Sequence, residues 1–84
     1  MPALSKFYGI TIKMFLRQSE HNPPHIHAVY GEYLAMFDIK TGEMLEGDLP
    51  NKALALTKEW VLAHTAELQD IWNTQVFRTL SPLD

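Results

Sequence analysis

The sequence predicts an α+β domain: a small antiparallel sheet of three to four strands, then one or two helices packed on one face. Three observations carry this. Up to about residue 47 the apolar residues alternate with period two, and from Pro50 they recur with helical period. Turn residues punctuate the first part, while residues 51–75 contain no Gly or Pro. And 84 residues allow one domain, 1–84, with a single core.

Residues 7–17, FYGITIKMFLR, read as the first strand. Tyr8, Ile10, Ile12, Met14 and Leu16 share one face, Thr11, Lys13 and Arg17 the other, and Phe15 breaks the pattern. QSEHNPP follows as a stiff loop, because Pro23 and Pro24 cannot donate ladder hydrogen bonds. HIHAVY with Gly31 (25–31) reads as a second strand, placing Ile26, Ala28 and Tyr30 opposite His25, His27 and Val29. Gly31-Glu32 fits a tight hairpin turn. Residues 33–40 form a third strand, apolar on nearly both faces, as suits a strand buried within a sheet. Lys40-Thr41-Gly42 fits a turn ending in a left-handed glycine, and residues 43–47 a short fourth strand.

Pro50 suits a first helical turn, where its missing N–H is not needed. Ala53, Leu56, Trp60, Val61, His64, Leu68, Ile71 and Trp72 form one stripe, with both tryptophans as core anchors. A continuous helix of that span would be roughly 37 Å long, against a globule of roughly 30 Å. The helix therefore breaks, most naturally at His64-Thr65, or protrudes into a partner; we expect the break, giving helices at about 50–64 and 65–75. His64 then serves as a core or capping histidine. The tail, 76–84, carries Val76, Phe77, Leu80 and Leu83, too apolar to hang free; it docks on the sheet or meets another chain.

Zero cysteines exclude disulfides, thiolate zinc sites and cysteine nucleophiles. So small a domain then leans on a good core, a partner chain or a histidine-bound metal. No apolar run approaches a membrane span and the N-terminus has no signal-peptide pattern, so the cytoplasm is the default compartment. Net charge is -3, unevenly spread, with the basic excess in residues 1–31. Lys6, Lys13 and Arg17 are too few to establish nucleic-acid binding.

Chemistry concentrates in His21-Asn22-Pro23-Pro24-His25-Ile26-His27. Three readings compete. The imidazoles can simply order the loop by bonding carbonyls around Pro23-Pro24. His21, His25 and His27 can hold a divalent metal, zinc if three nitrogens and a water suffice, manganese or iron if Glu32 or Asp38 joins; no cofactor is otherwise expected. Or His25 and His27 can move protons on RNA while Lys13 and Arg17 stabilise the phosphoryl charge, a metal-independent ribonuclease site.

The same residues carry a family resemblance. HNPPHIH at 21–27, then Tyr30-Gly31-Glu32-Tyr33, Asp38-Ile39, Thr41-Gly42-Glu43, Leu45-Glu46-Gly47, Leu49-Pro50, Trp60, His64, Glu67-Leu68 and Trp72 resemble a small bacterial domain-of-unknown-function family. The opening Met1-Pro2 and Phe7-Tyr8-Gly9-Ile10 agree, so the likeness spans about residues 1–75. It implies no catalytic residues. It implies a bacterial setting and a small protein partner encoded alongside, in a toxin–antitoxin-like arrangement. With Val29, Leu34, Met36 and Phe15 on the sheet face away from the helices, the expectation is an interaction protein rather than an enzyme, a homo-oligomer or bound to a small cognate protein.

Overall fold

A computed structural model describes residues 3–14, 24–74 and 76–83. Among these residues five strands, β1 (Ala3–Phe7), β2 (Ile10–Lys13), β3 (His25–Tyr30), β4 (Tyr33–Asp38) and β5 (Met44–Gly47), precede two helices, α1 (Asn51–Ala63) and α2 (Thr65–Thr74). The strands form one antiparallel sheet in sequence order. The fold class is the expected α+β, with one strand more than the pattern gave.

The extra strand comes from the first segment, where the expectation of one strand over 7–17 is corrected. Tyr8 and Gly9 both take positive φ, +48° and +81°, and turn the chain between Phe7 and Ile10. A two-residue turn of this kind matches the sheet's twist. It also resets the alternation: Phe7 and Ile10 differ in parity yet pair across the ladder on one face. Tyr8 consequently leaves the core face and stands 59% exposed. Tyrosine rarely adopts left-handed φ, so the period ran on through the turn unnoticed. Phe15, Leu16, Arg17, His21 and most of the Pro-Pro loop lie outside the described residues.

β4 stops at Asp38, earlier than residue 40, because the Asp38 carboxylate accepts the N–H groups of Lys40 (2.7 Å) and Thr41 (3.3 Å) and folds the chain into a turn. Gly42 ends that turn at φ +75°, and a Cβ there would press within 3.1 Å of the Leu62 side chain on α1.

The helix breaks at His64, between α1 and α2, as expected. Its backbone N–H donates to the carbonyls of Trp60 and Val61, and its Nδ1 lies 2.9 Å from the Trp60 carbonyl. The broken pair fits a molecule measuring 31 × 25 × 22 Å. Ile10, Ile12, Ile26, Ala28, Ala35 and Phe37 line the sheet's inner face and pack with Trp60, Val61, Leu68 and Ile71 in one buried cluster. Trp60 stacks on Phe7, with ring centroids 5.7 Å apart, and donates from Nε1 to the Ser81 carbonyl at 2.8 Å. The tail lies against β1, where the Leu80 N–H donates to the Leu4 carbonyl at 2.7 Å. Among the described residues no helix is long and apolar enough to cross a membrane.

Candidate functional site

The register fixes what the outer face of the sheet displays. Lys13 pairs with His27, His27 with Met36, and Met36 with Glu46. Paired residues share a face, so these four form one row across β2 to β5. A second row runs Thr11, Val29, Leu34. Leu34 is 55% exposed, and His27, Leu34, Met36 and Glu46 border a shallow depression of about 260 Å³. β5 comes close enough at Gly47 that a Cβ there would collide with the β4 backbone at Leu34 and Ala35.

The structure thus brings three of the four candidate catalytic residues together, Lys13, His27 and His25. Lys13 and His27 are cross-strand neighbours, one strand spacing or about 5 Å apart. His25, two residues before His27 on β3, shares its face of the sheet. Its ring is 5.2 Å from that of His27, edge to face, and 5.3 Å from that of Trp72 on α2. It is 1% exposed, so a substrate in solution does not reach it. Arg17 lies outside the described residues.

Burial holds the His27 imidazole below its ordinary value; the neighbouring His25 adds to the lowering, and Glu46 opposes it. Near neutral pH His27 is therefore a neutral ring, able to accept a proton, beside a lysine cation.

Of the metal candidates, His25 and His27 adjoin, while His21 lies outside the described residues. Among the described residues no three His, Cys, Asp or Glu side chains gather as a metal-holding group. Neither carboxylate singled out from the sequence joins the histidines. Glu32 is in the β3–β4 turn at the far end of the strand from His25, about 17 Å along the chain. Asp38 pairs with His25 in register, but its carboxylate is turned into the loop on Lys40 and Thr41. The carboxylate that shares a row with His27 is Glu46, which sequence reading missed. Alternation along 43–47 could have placed it outward. Its alignment with His27 could not be read, because an irregularity in the β4–β5 ladder shifts the register between Met36 and Phe37.

His64 behaves as a capping histidine. It stacks on Trp60 with centroids 4.5 Å apart, and its Nε2 is 3.8 Å from a Glu67 carboxylate oxygen.

Among the described residues these features define a small α+β protein with one sheet, the helix core on its inner face, Trp72 of α2 against His25, and a mixed charged and apolar row on the outer face. The chain belongs to the family described as Domain of unknown function (DUF4160), whose model matches residues 9–73. That span runs from the β1–β2 turn to α2 and leaves out β1 and the tail that lies on it. Comparison with curated proteins finds no match, and comparison with solved structures finds none.

Proposed function

We propose that this protein is an interaction protein, one member of a toxin–antitoxin-like pair, and that another protein chain docks on the outer face of its sheet. The observation that carries the reading is the one-sided packing. The core cluster joins the helices to the inner face, while Leu34 stands 55% exposed beside Val29 and Met36 on the other. An apolar strip rimmed by Lys13 and Glu46 has the make-up of an interface centre with a charged rim. Co-expression with a candidate small cognate protein, followed by light scattering of the purified material, is the test. A complex is expected, and Leu34→Glu should disrupt it while leaving the melting temperature nearly unchanged. A chain that stays monomeric both alone and in that co-expression defeats the reading.

A second reading is favoured by the Lys13–His27 pairing. A neutral imidazole beside a cation suits RNA cleavage: His27 takes the proton of a ribose 2′-OH as that oxygen attacks the adjacent phosphorus, the P–O5′ bond breaks, the proton passes from the imidazolium to the leaving 5′-oxygen, and Lys13 stabilises the charge that develops. It predicts RNA cleavage in the presence of chelator, reduced by about 100-fold or more in His27→Ala. Equal cleavage by the variant removes it.

A further inference from the structure

Two residues break local rules, and both line one cavity on the helix side of the sheet, away from the His27 row. The first is Tyr8. A turn with positive φ at both positions favours Asn-Gly, and a bulky aromatic residue held there is strained. Burial does not compensate, because the residue is 59% exposed. The second is Lys52. It sits in the first turn of α1, a turn with no acidic residue and a helix with no side-chain cap. A cation there opposes the positive end of the helix dipole. The nearest acid along the chain, Asp48, does not line the cavity.

Between them lies a cavity of about 500 Å³ whose lining includes Tyr8, Tyr30, Ile10, Ala53, Leu56 and Lys52. That is the size of small-molecule sites. Gly9 keeps the turn tight against Tyr30: a Cβ on it would come within 3.3 Å of that ring. Local misfits of this kind are expected where a site, rather than the fold, sets the residue. One ligand gives both residues a use, a flat ring carrying an anion. The ring stacks on exposed tyrosine, and the anion neutralises Lys52 and meets the open N–H groups of the helix start.

We propose that this cavity binds a nucleotide, the base against Tyr8 and Tyr30 and the phosphate at Lys52. The shared chemistry is a nucleobase bearing a 5′-phosphate, free or at an RNA end. The inference is independent of the docking and ribonuclease readings, since it uses none of the outer-face residues.

The test is an amide NMR titration of the full chain with AMP, GMP, CMP and UMP, with the nucleosides and inorganic phosphate as controls. A 5′-phosphorylated tetranucleotide run alongside distinguishes the free ligand from the RNA end. Saturable shifts are expected at Gly9, Tyr30 and Ala53, weaker with either control. Tyr8→Asn should weaken binding at least about 5-fold through lost stacking, and Lys52→Glu should weaken it as well. Both variants should also melt higher than the parent, because Asn suits the turn and an acid suits the helix start. A purely structural role for either residue would not give tighter folding with weaker binding. The proposal falls if no monophosphate gives saturable shifts, if inorganic phosphate binds as well as the nucleotides, or if Tyr8→Asn leaves the affinity unchanged.

Discussion

The two faces of the sheet are built from the same strands and the same alternation, yet they are constrained differently. On the inner face, Ile10, Ile12, Ile26, Ala28, Ala35 and Phe37 are all buried against the helices. A one-residue slip of any of these strands would turn its own core residues outward, so the core fixes the register. On the outer face, Lys13, His27, Met36 and Glu46 share a row that no core requirement demands. The inner face answers to stability, which leaves the outer one free to answer to a partner or a substrate.

The sharpest way to break this contrast is to truncate one residue on each face of the same strand. Phe37 is fully buried, and Phe37→Ala should remove about 3–5 kcal/mol, a large part of the roughly 5–10 kcal/mol that holds a small domain together. Leu34→Ala on the other face, 55% exposed, should stay within about 0.5 kcal/mol. Urea unfolding of the two variants measures both. Similar losses would mean that the outer face is covered and structural, and would count against the docking reading.

The inner side also has a flaw that can be repaired. Thr57 on α1 is fully buried, and its hydroxyl has no hydrogen-bond partner among the described residues. Valine has the same shape without the polar group. Thr57→Val should therefore stabilise the protein, by about 1 kcal/mol, read as a higher urea midpoint with unchanged slope. A loss instead would show that the hydroxyl is satisfied and that polar atoms on this side also serve the fold.

What the sequence made legible follows the same division. Ile10, Ile12, Ile26 and Ala28 announced their face because burial imposes a period. The helical stripe and the break at His64-Thr65 were readable because length and globule size conflict. Tyr8-Gly9 was not: its conformation contradicts the propensity of tyrosine, so no local signal marked the turn. The candidate site was half legible. His25 and His27 stood out by type and spacing, and Lys13 by alternation. Their fates differ for a reason no spacing reveals: Trp72, 47 residues on, packs its ring against that of His25, which is buried, while His27 faces the row with Lys13 and Glu46. Register irregularities in β1–β2 and β4–β5 likewise hide which outer-face residues meet.

The smallest expected effect bears on whether the outer face contributes to folding through charge at all. Burial holds the folded His27 below 6.5, the ordinary histidine value. As pH falls through 6.5, the unfolded chain takes up this proton before the folded one does. Stability contributed by the neutral ring is therefore present above 6.5 and is lost progressively as pH falls towards the lowered folded value, where the loss levels off. His27→Gln has no proton to gain in that range. The melting temperature of the parent should drop between pH 7.5 and 5.5 by more than that of the variant, the excess being His27's share. Parallel pH profiles would mean that the His27 site solvates the imidazolium as well as water does. His27 would then be cationic over much of the acidic range, and the general-base role assigned to it would lose its electrostatic footing.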